Sequence, residues 1–189
     1  IMLLRVSALL LFVLACLPSW SQQRDSVRWK VFYYEGGAKR SEGNLRNGKP
    51  DGYWKTYYRN GNLKAAGNRE NFKLDSVWTF YNIDGVKTSE ISYDNEVKHG
   101  LTKVFKEGKL YKTEPYQNGK IEGFVKIYFP DSSIQKEIPY QNNKQEGTCY
   151  QYAHDGRIIR LLTYKKQALD RRQDIHMFDK QAQTQGWWI

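Results

Sequence analysis

The chain has 189 residues, of which 15% are aromatic and 26% charged, and its formal net charge is +10 at pH 7. This length suits one ordinary domain. The aromatic content excludes intrinsic disorder, because disordered chains contain few aromatic residues.

Residues 1–21 are predicted to be a secretory signal. Residues 6–17 are apolar, Pro18 ends the run, and Ser19-Trp20-Ser21 places small residues at the two positions that a signal peptidase reads. The run is too short to span a bilayer, which takes about 20 residues. We therefore expect export to the periplasm or the exterior, with cleavage before Gln22. Cleavage removes one basic residue and leaves a net charge of +9.

Two alternatives for this segment stay open. Val13-Leu14-Ala15-Cys16 can be interpreted as a lipoprotein cleavage box, with the protein anchored to a membrane through a lipid on Cys16. The segment could also remain uncleaved as an anchor. If cleavage falls before Gln22, Cys149 is the only cysteine left, so cysteine usage neither supports nor opposes export.

From Trp29 onward the chain consists of about six copies of a 24-residue repeat, and residues 51–67, DGYWKTYYRNGNLKAAG, are the clearest copy. Three columns define the repeat. The glycine column runs Gly52, Ser76, Gly100, Gly123 and Gly147, in steps of 24, 24, 23 and 24. The aromatic column, five residues later, is Tyr33, Tyr57, Tyr81, Phe105, Tyr128 and Tyr152. The asparagine column, five residues before the glycines, is Asn47, Asn71, Asn95, Asn118 and Asn142.

Each copy predicts two strands and two turns. Residues 53–58 are rich in aromatic and β-branched side chains and end at Asn60-Gly61, a pair that tolerates the positive φ angles of tight hairpins. Residues 63–68 form the second strand, and the asparagine column supplies the second turn. The predicted fold is all-β: an elongated, single-layer, twisted antiparallel meander of repeated hairpins.

The later repeats depart from the pattern. The fourth copy is one residue shorter at Lys106-Glu107-Gly108, which predicts a tighter turn. Pro115 and Pro139 are expected at strand edges or bulges, because proline cannot donate to a ladder. Gln185-Gly186-Trp187-Trp188-Ile189 resembles the opening of a fresh repeat, so we expect a longer parent chain with at least one more copy. The predicted boundaries are a signal at 1–21, a linker at 22–28, the repeat sheet at 29–164, an irregular polar segment (a loop or short irregular helix) at 165–174, and a partial, truncated repeat at 175–189 that opens with a strand over 175–179.

Strand alternation assigns the side chains to two faces. One face collects Tyr53, Val77, Leu101 and Phe124 beside the aromatic column, and the other collects Trp54, Trp78, Thr102, Val125 and Cys149. Both faces are partly apolar, so ladders of large side chains on each face are expected to stabilise the sheet.

No catalytic, metal or cofactor site is predicted. His99, His154 and His176 lie at or near turns without a His-x-x-His pattern, and Cys149 occupies a packed strand position. The acidic column of Glu42, Glu90 and Glu137 is expected to form a solvated or salt-bridged face, because its members are too far apart to share a metal.

The lysines Lys49, Lys73, Lys120 and Lys144 stand three residues before the glycine column, and Lys98 nearly fills the gap at Val97. They could keep a long sheet soluble and blunt its edges. They could instead form a strip for an anionic partner, with the aromatic column alongside for stacking. The candidate binding residues are these four lysines and the six aromatic residues. A protein or an anionic envelope component is the expected partner; nucleic acid is not, and membrane contact is expected only peripherally or through Cys16.

The motif Gly52-Tyr53-Trp54-Lys55-Thr56-Tyr57, followed by Asn60-Gly61, and the later Asn118-Gly119-Lys120 before Gly123 resemble the bacterial MORN-variant repeat, including proteins labelled as YwqK-family antitoxins. The resemblance covers residues 29–164 and, weakly, 175–189. It implies a non-enzymatic binding or scaffolding surface. We therefore expect an exported interaction scaffold, or alternatively an antitoxin or immunity-type protein that neutralises a toxin by binding.

Overall fold

The computed structural model of the protein describes residues 26–175, and the regular structure in this part is entirely β-strand. The sixteen strands are β1 (Val27–Tyr33), β2 (Lys39–Arg46), β3 (Lys49–Tyr57), β4 (Leu63–Glu70), β5 (Lys73–Tyr81), β6 (Lys87–Asp94), β7 (Val97–Lys98), β8 (Gly100–Lys106), β9 (Lys109–Gln117), β10 (Lys120–Ile121), β11 (Gly123–Tyr128), β12 (Ile134–Gln141), β13 (Lys144–Gln145), β14 (Gly147–Tyr152), β15 (Ile158–Lys165) and β16 (Ala168–Asp174). Residues 26–175 contain no helix that could cross a bilayer.

All strands belong to one open antiparallel sheet in which neighbours in sequence are neighbours in space. The two-residue strands β7, β10 and β13 pair with β6, β9 and β12, and each continues into the next strand after a one-residue break. The breaks fall at His99, Glu122 and Glu146. This topology confirms the predicted all-β meander.

The asparagine column forms the second turn of each repeat. All five asparagines have φ between 48° and 51°, and the residue after each also has positive φ. Two consecutive left-handed residues between paired strands make a type I′ turn, which matches the strand twist. Asparagine tolerates this conformation better than most side chains do, which explains its recurrence.

The first turns of the second, third, fifth and sixth repeats are longer hairpin loops with one left-handed residue, whereas the first repeat has two, Gly36 and Gly37. In the second repeat, Gly61 N donates to Tyr58 O at 3.0 Å, Tyr58 N donates to Asn62 O at 2.8 Å, and Gly61 has φ of 89°. The fourth repeat instead uses a two-residue turn, with Glu107 at φ 52° and Gly108 at 77°. The predicted tighter turn is confirmed and accounts for the one-residue slip.

The segment predicted as irregular, residues 165–174, is instead a turn followed by the strand β16. Lys166 and Gln167 adopt φ of 50° and 67°, and β16 pairs antiparallel with β15. The prediction was wrong because this last turn has neither asparagine nor glycine. Lys166 nevertheless stands 24 residues after Asn142, so the period itself marked the turn.

The two prolines lie where the sheet is irregular. Pro115 O accepts a hydrogen bond from Glu122 N at 3.0 Å, and Pro139 O accepts one from Glu146 N at 3.2 Å. Glu122 and Glu146 are the breaks before β11 and β14. On their other side the two prolines are paired in the ladder with Leu101 and Phe124, so they are not at strand edges. The predicted placement at a bulge holds for the side that faces the break, where the missing N–H is not needed as a donor.

The sheet has two faces with different burial. Face A carries Tyr53, Lys55 and Tyr57, and face B carries Trp54 and Trp78. The buried cluster on face B consists of Leu45, Trp54, Ala65 and Trp78, with Phe32, Leu74, Phe80 and Tyr93 packed against it. All of these residues belong to β1–β6, so the largest side chains are buried in the first half of the sheet.

Each of the two buried tryptophans lies on a glycine of the preceding strand. A Cβ on Gly43 would collide with the Trp54 ring, and one on Gly67 would collide with the Trp78 ring. The Trp78 indole N–H donates to Asn68 O at 2.7 Å, so its polar atom is satisfied. Glycine is therefore required at both positions for the rings to cover the backbone.

The domain limits shift slightly. β1 begins at Val27, two residues before the predicted start of the sheet. Ile175 N donates to Ile159 O at 2.9 Å beyond the end of β16. The predicted signal at 1–21 and the rest of the predicted partial repeat at 175–189 lie outside the described residues.

Candidate functional site

The predicted lysines lie at one end of the strands, directly after the second turns. Lys49 opens β3, Lys73 opens β5, Lys98 ends β7, Lys120 opens β10 and Lys144 opens β13. Successive members are two strands apart, roughly 9.5 Å. Lys49 Nζ lies 5.2 Å from the Phe72 ring centroid, and Lys120 Nζ donates to Asn142 Oδ1 at 3.3 Å. Both contacts reach the second turn of the following repeat.

A carboxylate stands two residues after each of four of these lysines: Asp51, Asp75, Glu122 and Glu146. Glu122 Oε2 accepts the backbone N–H of Asn142, and Glu146 Oε2 accepts that of Lys166, both at 2.8 Å. Glu122 and Glu146 thus each tie their own second turn to the next one, whereas Asp51 pairs with Arg46 at 2.9 Å. The four carboxylates alternate with the lysines, which weakens the field of the strip. This carboxylate column was not predicted, although the Lys-x-Asp/Glu spacing recurs in the sequence.

The aromatic column lies on face A near the first turns, at the opposite end of the strands from the lysines. Tyr57 is eight residues from Lys49 along β3, roughly 25 Å. The structure therefore does not place the aromatic column alongside the lysine strip.

Most members of the aromatic column pack within the sheet. The Tyr57 hydroxyl donates to Glu42 Oε1, and the Tyr152 hydroxyl donates to Glu137 Oε2 at 2.6 Å. Burial, and then the bonded carboxylate, raises the pKa of both tyrosines to about 12. Tyr81, Phe105 and Tyr128 are half-buried, whereas Tyr33 in the edge strand β1 is exposed. Tyrosines whose hydroxyls are hydrogen-bonded to carboxylates within the sheet are poorly placed to stack on a ligand.

The acidic column on face A is ion-paired. Lys39 Nζ contacts Glu42 at 2.8 Å, and Glu90 contacts Lys87 at 2.8 Å and Lys103 at 3.1 Å. Hydrogen bonds from these lysines lower the pKa of both carboxylates. Within residues 26–175 no cluster of three or more His, Cys, Asp or Glu side chains could hold a metal ion. The acidic column is thus a salt-bridged face.

The histidines and the cysteine do not form a catalytic arrangement in the described part of the chain. Cys149 is buried, and burial raises the pKa of its thiol, which disfavours the reactive thiolate. His154 stacks on Phe129 with ring centroids 3.8 Å apart, and its Nδ1 lies 3.3 Å from Asp131 Oδ2. His99 occupies the break before β8, and His176 lies outside the described residues.

Exposed large side chains recur in a row on face A, named here the apolar row: Trp29, Tyr53, Val77, Leu101 and Phe124. These side chains occupy one repeat position in five successive repeats and are 43–54% exposed. The residues one position later in the last four of these repeats, Trp54, Trp78, Thr102 and Val125, lie on face B and are only 3–6% exposed. Large side chains at one repeated position are thus left open to solvent.

Two segments of the chain match one repeat family. The MORN repeat variant family matches residues 50–71 and 121–142. The two matches are offset by 71 residues, the distance from Gly52 to Gly123, so both lie in the same register. The chain is a MORN-variant repeat protein. No curated protein matches it.

MORN-variant repeats are a non-catalytic repeat type, and MORN repeats are generally protein or membrane interaction modules. The apolar row runs through both matched segments, with Tyr53 in the first and Phe124 in the second. Our sequence reasoning placed four of its members on one face but treated them as sheet-stabilising ladders. Alternation shows which face a residue occupies, but not whether a neighbour covers it.

Proposed function

We propose that this MORN-variant repeat protein is an exported interaction scaffold that binds a partner protein across face A. The apolar row is the observation that supports the proposal. Monomeric proteins leave single apolar side chains exposed, but exposed apolar side chains that recur at one position of five successive repeats favour an interaction surface. Open repeat sheets also provide extended binding faces. The apolar run and small residues within 1–21 support export.

A photo-crosslinking residue in place of Leu101, which is exposed on face A, tests the proposal. The full chain carrying it is incubated with an envelope extract and irradiated. We expect one dominant crosslinked protein, retained through a high-salt wash. A chain with the same crosslinker at Lys30, exposed on face B, serves as the matched control and should capture little.

Equal capture from both positions would show that face A is not the binding surface. If the captured material is a salt-eluted mixture of anionic components, the lysines Lys49, Lys73, Lys120 and Lys144 rather than the apolar row determine binding. The identity of a single captured protein separates a scaffold from the alternative of an antitoxin, because an antitoxin would capture its toxin.

A further inference from the structure

We propose that the N-terminal part of the apolar row, around Tyr53, binds an acidic protein segment in the polyproline II conformation. This inference rests on the proposed function and specifies the chemistry of the partner. It follows from three properties of this part of face A: the spacing of the row, the unbonded amides within it, and one lysine without an ion pair.

The spacing of the row matches a polyproline II helix that lies across the strands. Trp29, Tyr53 and Val77 lie on alternate strands, roughly 9.5 Å apart. A polyproline II helix repeats every three residues, about 9.3 Å. A heptad of an α-helix spans about 10.5 Å, so over the two intervals from Trp29 to Val77 an α-helix drifts by about 2 Å and a polyproline II helix by about 0.4 Å. A β-strand repeats every two residues, about 6.7 Å, and does not match.

Side-chain amides are available between the members of the row. Asn44 lies opposite Trp29, and Asn68 lies opposite Tyr53. Within the described residues, neither amide side chain nor the Tyr53 hydroxyl makes a hydrogen bond. A polyproline II backbone has no internal hydrogen bonds, so its carbonyls accept bonds from such amides. Aromatic rings that alternate with donors suit this conformation, because its rigid backbone loses little entropy on binding.

The charge favours an acidic segment. Lys55, Lys103 and Lys126 occupy one repeat position on face A. Lys103 contacts Glu90 at 3.1 Å, and Lys126 contacts Glu137 at 2.9 Å. Lys55 forms no ion pair within the described residues, and its Nζ lies 5.8 Å from the Tyr53 ring centroid. Glu42 lies opposite Lys55 and is ion-paired with Lys39. The lysine of this position that has no ion pair of its own therefore lies beside the aromatic part of the row.

The test is titration of the full chain with the peptide (Pro-Pro-Glu)5, followed by calorimetry and tryptophan fluorescence. We expect binding of this peptide, and none of (Pro-Pro-Lys)5 or of a glutamate-rich α-helical peptide. Tyr53→Ala should weaken binding at least about tenfold, as expected for the loss of an aromatic anchor. Tyr111→Ala, the same change at an exposed tyrosine outside the row, should leave the affinity unchanged.

A second variant keeps the test independent of any loss of folding in Tyr53→Ala. Lys55→Glu should abolish binding of (Pro-Pro-Glu)5 and create binding of (Pro-Pro-Lys)5, a gain that an unfolded chain cannot show. Unchanged binding to Tyr53→Ala would overturn the inference, as would a preference for the helical peptide or for phosphatidylglycerol vesicles. If crosslinking at Leu101 captures a partner but (Pro-Pro-Glu)5 does not bind, the inference fails and the proposed function stands. If neither occurs, both fail.

Discussion

The repeats of the two halves of the sheet fill the same face B position with different side chains. In β3 and β5 a tryptophan lies on a glycine of the preceding strand, as Trp54 does on Gly43. In β8, β11 and β14 the tryptophan position holds Thr102, Val125 and Cys149, and the glycine position holds Ile91, Glu114 and Ile138. In the first half the pair of positions holds one large side chain and a glycine. In the second half the same two positions hold two side chains of intermediate size.

This comparison shows that volume is conserved across the strand pair rather than at each position. Close-packed interiors tolerate substitution when the total volume is kept. It also explains why the tryptophan column disappears after Trp78 while the fold continues. The second turns, by contrast, keep the same backbone conformation in both halves, so their geometry defines the repeat and the packing adapts to it.

The largest expected effect is the loss of a tryptophan in the first half. Trp78→Ala should lower the free energy of unfolding by about 3–5 kcal/mol, because the ring is almost fully buried over Gly67. Val125→Ala, at the equivalent position in the second half, should cost only about 2 kcal/mol, the value of two buried methylenes. Urea denaturation of both variants checks the ratio. Equal losses would mean that the two halves depend equally on this position.

A transplanted pair tests the conservation of volume directly. Gly67→Ile should lower the free energy of unfolding by about 1–3 kcal/mol, because its side chain collides with Trp78. Adding Trp78→Thr reproduces the Ile91–Thr102 pair of β6 and β8 and should recover part of the loss. A double-mutant cycle by denaturation measures the coupling, expected at about 0.5–3 kcal/mol. Simple additivity of the two single effects would contradict the proposed exchange.

The second half contains a buried hydroxyl without a hydrogen-bond partner, and no such hydroxyl is found in the described part of the first half. Among the described residues, Thr102 Oγ1 is buried and finds no hydrogen-bond partner. Thr102→Val keeps the shape and removes the unpaired hydroxyl, so we expect a gain in the free energy of unfolding of about 1 kcal/mol. Thr148→Val is the matched control, because Thr148 Oγ1 lies 3.2 Å from Thr163 Oγ1 and loses a hydrogen bond. A loss of stability in Thr102→Val would show that its hydroxyl is satisfied in solution.

The repeats could be predicted from the sequence because turn chemistry is local. Asn47, Gly61 and Gly108 occupy left-handed positions that few side chains adopt, so the residue type reveals the conformation. The turn at Lys166 was not predicted, because lysine is not a residue type that indicates a positive φ. The apolar row and the carboxylates that follow the lysines could be placed on the sheet from the spacing. Their exposure and their partners depend on contacts between repeats. The alternation of side chains along one strand gives no information about those contacts.

The missed turn gives a smaller expected effect. Lys166 takes the left-handed position that asparagine occupies in the five preceding second turns. Lys166→Asn should raise the free energy of unfolding by about 0.5–1 kcal/mol, because the left-handed conformation costs an ordinary side chain about 1–2 kcal/mol. Slower amide exchange in β15 and β16 checks the gain. Lys165→Asn, one residue earlier, has no such conformation to relieve and should have no effect.

The smallest effect concerns the carboxylates of face A, whose partners differ along the sheet. The Tyr152 hydroxyl, and then Lys126, hold the pKa of Glu137 below its ordinary value of 4.5. Because the folded pKa lies below the unfolded one, Glu137 contributes stability above about pH 4.5 and loses it as the pH falls through the folded pKa. The Tyr152 pKa is raised to about 12, so the stability from its neutral form is lost as the pH rises through that value.

Tyr152→Phe should therefore flatten the fall in stability below pH 5 and remove part of the fall at high pH, as thermal unfolding across the pH range would show. Tyr140→Phe is the control, because the Tyr140 hydroxyl makes no hydrogen bond within the described residues. At the fourth repeat Phe105 already replaces the tyrosine, and two lysines hold Glu90 instead. If the stability of Tyr152→Phe falls at acid pH as much as that of the unchanged protein, Lys126 alone lowers the pKa of Glu137. The tyrosine would then be an interchangeable partner of the carboxylate, as the tryptophan is of the glycine on face B.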